Sequence, residues 1–266
     1  MSVSLKSARE LETMREAGRI VGNALAEMAQ RAEPGMTTGD LDRIAERSIR
    51  SQGAEPAFPH INNFPGTACV SVNEEIVHGI PGRRRLREGD IVKVDVGAIY
   101  RGYHGDAAIT VPIGTVSPEA RQLITVTEEA LAMGIRAAQP GAFLNDIGAA
   151  VEDYAERFGL SPVREYVGHG IGRKLHEAPT VHHFRQAARG PRLQEGMTFT
   201  IEPMINVGSH ETRLLGDGWT VVTADGSLSA QFEHTIAITA DGPEVLTLPD
   251  HAETSSIPFF VAKEVQ

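Results

Sequence analysis

A single cysteine, Cys69, stands in a chain of 266 residues. One thiol excludes an intramolecular disulfide, so the fold must be held by its core, and a cytoplasmic location fits that usage. Long apolar runs are also missing, and none reaches the roughly 20 residues that a membrane-spanning helix needs. Met1 to Arg15 is polar and charged with no apolar centre, so no secretory signal is expected. Positive charge is in the minority: 25 Lys and Arg face 35 Asp and Glu, a formal net charge of −10. That balance argues against broad electrostatic binding to DNA. One basic run breaks the trend. Arg83-Arg84-Arg85-Leu86-Arg87 is either a solvated turn or a contact for an acidic partner.

What the chain does have is a repeat. Glu88-Gly89 opens an apolar stretch that ends in Asp95, and Glu195-Gly196 opens one that ends in Glu202. Ala32-Glu33-Pro34-Gly35 returns as Ala138-Gln139-Pro140-Gly141, Asp40-Leu41 as Asp146-Ile147, and Gly53 as Gly159, at one offset (140 − 34 = 159 − 53 = 106). Val77-His78-Gly79-Ile80 is echoed by Gly168-His169-Gly170-Ile171 at another (169 − 78 = 91). A period this long does not describe a solenoid; it predicts two related halves. An acid at the end of a buried strand is costly unless neutralised, so matched acids suggest a cation site shared between the halves.

Ser7-Ala8-Arg9-Glu10 has capping-box spacing and predicts a helix to about Arg31, stopped before Pro34-Gly35. A second is expected from about Gly39 to Gln52, closed by Gly53. Strands are expected near 68–72 and 91–96. Asp95 to Asp106 reads as a hairpin turning around Tyr100-Arg101-Gly102, with strand 106–111 after it. Ser117-Pro118 opens a third helix, to about Ala138. A fourth is expected over 145–158, capped by Asn145 and closed by Gly159, and strands at 163–167, 197–203, 219–224 and 231–238. Helix, helix, then hairpins in each half describes an α+β fold rather than a parallel βαβ array. One domain is expected over 1–249, with half-repeats at about 7–111 and 117–240, and a tail of unassigned role over 250–266.

Asp95, Asp106, His169, Glu202 and Glu233 each sit in or beside an apolar strand, which sets them apart from ordinary surface acids. Oxygen-rich sites with one imidazole favour Mn, Fe, Co or Zn. Four carboxylates and a histidine exceed what one metal needs and suit two cations about 3.5–4 Å apart. Asp95 and Asp106 are 106 − 95 = 11 residues apart, a gap that a hairpin closes. His78 and His176 lie in Gly- and Pro-containing loops near these residues and are either structural or in contact with substrate.

The motifs together resemble a type I methionine aminopeptidase of the bacterial, single-domain kind. They are His78-Gly79-Ile80-Pro81, Asp95-Val96-Gly97, Tyr103-His104-Gly105-Asp106, Gly168-His169-Gly170-Ile171-Gly172, His176-Glu177-Ala178-Pro179, Ile201-Glu202-Pro203-Met204 and Ser229-Ala230-Gln231-Phe232-Glu233-His234-Thr235. The likeness covers about residues 5–248. It implies the pita-bread fold, a curved antiparallel sheet under helices with pseudo-twofold halves. It implies two divalent ions (Co, Mn or Fe, with Zn admissible), Asp95 chelating one, Asp106 and Glu233 bridging, and His169 and Glu202 completing the other. A metal-bridging hydroxide would then attack the scissile carbonyl, with Glu202 as acid/base, His176 on the carbonyl oxygen and His78 at the amide nitrogen. The same resemblance places Ile61, Phe64, Cys69, Leu175, Met204, Trp219 and Gln231 around the methionine side chain. Where many relatives have an aromatic residue before the second histidine, this chain has Leu175, which changes the pocket's shape. The implied activity is removal of N-terminal methionine from nascent proteins, preferring a small second residue. A monomer is expected, with a transient ribosome contact and no membrane or DNA partner.

Three rivals carry distinguishing features. Peptidases specific for Xaa-Pro bonds usually add a large N-terminal domain, whereas this repeat starts by residue 7. A type II methionine aminopeptidase would carry a helical insertion that the 33 residues from His169 to Glu202 (202 − 169 = 33) cannot hold. A binding protein that had lost catalysis should lack ligands or catalytic histidines, and all are present.

Overall fold

In the computed structural model, which describes residues 3–250, the Ser7–Glu10 box opens helix α1, Ala8–Arg31. The Ser7 N–H donates to Glu10 Oε2 at 2.9 Å, and the other oxygen of Glu10 accepts from the Tyr103 hydroxyl at 2.6 Å. The cap therefore also pins the helix to the strand beneath it. The tail patch at Pro258-Phe259-Phe260-Val261 lies outside the described residues.

Helix α2, Thr38–Ser51, starts one residue before the expected Gly39, with Thr37 as its cap. Thr37 Oγ1 accepts the Asp40 N–H at 3.1 Å and the Asp40 carboxylate accepts the Thr37 N–H at 2.7 Å. Helix α3, Pro118–Ala137, begins as predicted, with Ser117 Oγ accepting the Ala120 N–H at 3.1 Å. Helix α4, Asp146–Glu156, corrects the expected side-chain cap. The Asn145 amide donates instead to the Ala188 carbonyl at 2.7 Å.

The predicted hairpin is the longest antiparallel pair, Ile91–Tyr100 against Tyr103–Pro112, turning at Arg101 and Gly102, both with positive φ. Its register pairs Gly97 with Asp106 and Asp95 with Ala108, so both aspartates face one side as diagonal neighbours. Strand Ala68–Val72 lies on its other edge, with Cys69 opposite Asp95. Helix α1 shares one buried cluster with this sheet, including Ile20, Leu25, Met28, Val94, Val96 and Ile109. Each such side chain contributes about 1.5–3 kcal/mol relative to exposure. The approach is close: a Cβ on Gly105 would lie 2.8 Å from the Ala17 backbone.

In the second half a five-stranded sheet runs Gly242–Val245, His234–Thr239, Thr198–Ile201, Gly168–Gly170, Glu177–Val181, every pairing antiparallel. One expected strand is shortened and another interrupted. The stretch 197–203 holds Thr198–Ile201, with a separate strand Met204–Asn206 past Pro203, and 231–238 becomes Ser229–Gln231 and His234–Thr239. The breaks fall at Glu202-Pro203 and Phe232-Glu233. The stretch expected as strand 163–167 is irregular, with short strands Ser161–Pro162 and Gly168–Gly170 on either side. The strand expected over 219–224 shortens to Val221–Thr223.

The repeat is visible bond by bond. Gly35 N–H donates to Leu86 O and Gly141 N–H to Leu193 O, both at 2.8 Å. Arg85 donates to Gly35 O and Arg192 to Gly141 O, both at 2.6 Å. Gly35 and Gly141, Gly53 and Gly159, and Gly89 and Gly196 all have positive φ. Two arginines of the basic run are thereby used within the fold, Arg85 here and Arg84 on Glu75 at 2.6 Å. The halves meet where Glu233 N–H donates to Ala108 O at 2.8 Å, a bridge between their sheets.

Candidate active site

All fourteen residues named from the sequence line one cavity of about 420 Å³. The hairpin supplies Asp95 and Asp106 from adjacent strands, and the second half supplies His169, Glu202 and Glu233. Each glutamate stands at an interruption of its strand, where the backbone leaves the ladder. His169 needs close chain packing on one side: a Cβ on Gly170 would collide with the Ala178 carbonyl.

His169 Nε2 lies 3.6 Å from Asp106 Oδ2 and 3.6 Å from Glu202 Oε1, while its Nδ1 sits 3.1 Å from the Gly170 carbonyl. An imidazole held to backbone by one nitrogen presents the other as a ligand. One ligand atom each from Asp106, His169 and Glu233 falls within a mutual 4.8 Å. The acids carry the cost of burial. Burial pushes Asp95 up to about 7. It pushes Glu202 up to about 8 against the Thr200 hydroxyl, which pulls the other way. Burial first, then neighbouring acids, raises Asp106 and Glu233 well above the usual carboxylate range. No Lys or Arg among the described residues lines the cavity. Among the described residues Asp95 Oδ1, Asp106 Oδ1 and Glu233 Oε1 are buried without a hydrogen-bond partner. Buried carboxylates with unmatched oxygens and no protein cation beside them fit divalent metal ions.

Two more imidazoles face this floor. The His176 ring lies 4.3 Å from that of His169, edge-on at 71°. His78 stands at φ 59, a left-handed backbone rare outside glycine, with its ring 5.8 Å from Tyr166 and 6.4 Å from Trp219. Burial pushes His78 down to about 4 and also lowers His176. Both shifts favour the uncharged imidazole.

The residues expected around the methionine side chain are apolar, Ile61, Phe64, Cys69, Leu175, Met204 and Trp219, with Gln231 the polar one among them. Phe64 meets Trp219 edge-on at 5.1 Å. Sequence reasoning missed Phe58, Val77, Tyr166 and Thr180 in the same lining. It also missed His183, which lies behind Glu202 and is pushed down to about 3 by burial. Nothing in the local pattern marks these residues, because their role depends on chain brought in from elsewhere.

The model of metallopeptidase family M24 matches residues 12–240. The chain belongs to family M24. Methionine aminopeptidase 1 of Bacillus subtilis (strain 168) is 52% identical over 242 residues, 91% of this chain and 98% of that protein. The solved methionine aminopeptidase from Rickettsia prowazekii has a TM-score of 0.91 at 42% identity, covering 93% of this chain and 100% of that one. The one from Thermotoga maritima has a TM-score of 0.91 at 41% identity, with the same coverage. The fold of this M24 chain is thus the pita-bread fold, and the chain is a metal-dependent hydrolase. No helix among the described residues is long and apolar enough to cross a membrane.

Proposed function

We propose that this chain removes the N-terminal methionine from nascent proteins and peptides, preferring a small second residue. The carrying observation is the cavity itself: a floor of four carboxylates, Asp106 and Glu233 buried and Asp95 and Glu202 half-buried, and His169 beneath a largely apolar wall, with two histidines facing both. The relatives' names support the same reading.

Two divalent ions, Co, Mn or Fe, with Zn admissible, fit the donor set. Asp95 would hold one, Asp106 and Glu233 both, and His169 and Glu202 the other. Bound there, they supply Lewis acidity toward the scissile carbonyl and toward water. The chain's own groups do the rest. Glu202 takes a proton from water and returns it to the leaving amine. His176 donates a hydrogen bond to the carbonyl oxygen as negative charge develops on it. His78 contacts the scissile amide nitrogen. Phe64 and Trp219 face the thioether, where sulfur–aromatic contact is worth about 0.3–1.5 kcal/mol. Leu175, in place of an aromatic ring, is the side chain that bounds the methionine pocket beside His176. A monomeric state, a cytoplasmic location and a transient ribosome contact complete the reading. The exposed Arg83 and Arg87 are the side chains for that contact.

The test is release of free methionine from Met-Ala-Ser, Met-Leu-Ser and Xaa-Pro peptides by metal-stripped protein, before and after adding Co, Mn, Fe or Zn. Metal-dependent cleavage of Met-Ala-Ser with little from Met-Leu-Ser is the expected result. Preference for Xaa-Pro, or no cleavage with any metal, overturns it.

A further inference from the structure

Glu202 sits where a strand stops. Thr198–Ile201 ends one residue before it, Met204–Asn206 begins two residues after it, and Pro203 has no N–H to continue the ladder. A buried N–H left unmet at such a break costs about 1–3 kcal/mol. His183 meets it, with Nε2 3.0 Å from the Glu202 nitrogen. It arrives from the chain just past strand Glu177–Val181 and is fully buried. Because the donor is a backbone N–H, Nε2 holds the lone pair and the proton belongs on Nδ1. The side chain of Glu202 is held separately. Thr200 Oγ1 donates to Glu202 Oε1 at 2.7 Å and accepts the His169 N–H at 3.0 Å. One buried hydroxyl therefore ties two of the proposed metal ligands together.

We propose that His183 and Thr200 are a positioning pair for the reaction, His183 holding the backbone of Glu202 and Thr200 its carboxylate. The inference rests on the reading of Glu202 as ligand and proton carrier. A glutamate at a strand end has three free side-chain torsions and no ladder bond, and both freedoms are removed here by groups that touch neither substrate nor metal. Proton transfer tolerates little displacement; an error of about 1 Å can cost 10²-fold in rate.

The experiment compares His183→Leu and Thr200→Val, which remove the acceptor and the hydroxyl, with His183→Gln and Thr200→Ser, which keep them. Turnover of Met-Ala-Ser is measured with saturating Mn or Co, and affinity for the same ion by calorimetry on metal-stripped protein. His183→Leu and Thr200→Val should each lose about 10–100-fold in kcat, the scale for partners of metal ligands. KM should stay within about 3-fold, since Glu202 does not bind the ground state selectively. Thr200→Val should also weaken ion binding by about 10-fold or more. His183→Gln and Thr200→Ser should recover most of each loss. Folded Leu and Val variants with wild-type kcat, or losses that Gln and Ser do not restore, overturn the pair. If His183→Leu fails to fold, the Thr200 variants decide by the same criteria. A wild type that releases no methionine refutes the function and the pair's role together; an active wild type with indifferent variants refutes the pair alone.

Discussion

The two halves deliver their acids by different means. In the first, Asp95 and Asp106 stand on an unbroken hairpin whose register runs from Ile91↔Pro112 to Tyr100↔Tyr103. Asp106 is held from outside the ladder as well: the Thr235 hydroxyl, from the second half, accepts the Asp106 N–H at 3.2 Å and donates to the Asp106 carbonyl at 2.8 Å. In the second, Glu202 and Glu233 stand where strands are interrupted, and each lost ladder bond is replaced individually. His183 accepts the N–H of Glu202, and Ala108, from the other half, accepts that of Glu233. The sequence repeat therefore conceals a local difference: the first half carries its acids within a continuous hairpin, the second carries its glutamates at strand interruptions.

Changing one proposed ligand in each half should have the largest effect. Asp106→Asn and Glu233→Gln should both weaken metal binding and turnover, by more than the about 10–100-fold that a ligand's partner costs. Metal content by elemental analysis and methionine release check this together; wild-type values in either variant would remove that residue from the bridging position. Next come the two histidines. His176→Ala should lower kcat by about 10²–10³-fold with little change in KM, as for loss of an oxyanion donor. A pure KM effect would place His176 in ground-state binding.

A smaller effect should follow pH. In cation-free protein Asp95 is pushed up to about 7 and Glu202 to about 8 by burial. A carboxyl whose folded value lies above its ordinary one adds stability at low pH and loses it as pH rises through the folded value. The cation-free protein should therefore lose that contribution as pH climbs through about 7 and 8, where an added ion replaces the proton. The rise in Tm on adding Mn or Co should grow from about pH 6 to about pH 8. A rise independent of pH would mean that these acids are ionised without a cation.

The smallest difference lies in the caps. Thr37→Ala in the first half should cost about 1 kcal/mol, whereas Asn145→Ala in the second should cost less, because Asn145 caps nothing. Urea titration of both variants measures it; equal losses would mean that the Asn145–Ala188 bond matters as much as a cap.

Much of this was legible in the chain. The 11-residue spacing of Asp95 and Asp106 around a glycine turn foretold the hairpin, and the capping box foretold α1, because both are local signals. The strand end at Glu202 was legible, since the apolar stretch closes on Glu202-Pro203, but the break at Phe232-Glu233 was not. Strand-forming residues follow it directly, and only chain from the other half shows where pairing stops. Thr37 was overlooked as a cap because glycine two residues later drew the helix start forward. His183 and Thr200 carry no signal at all in sequence, since one acts on a backbone group 19 positions away (202 − 183 = 19) and the other looks like any strand threonine.

The floor of the cavity draws two acids from before residue 117 and three side chains from after it. Neither half alone owns a complete set. A half-length ancestor could have gathered such a set only by pairing with a second copy of itself, each contributing its matching strand. Duplication and fusion would then have turned a contact between two molecules into a site within one.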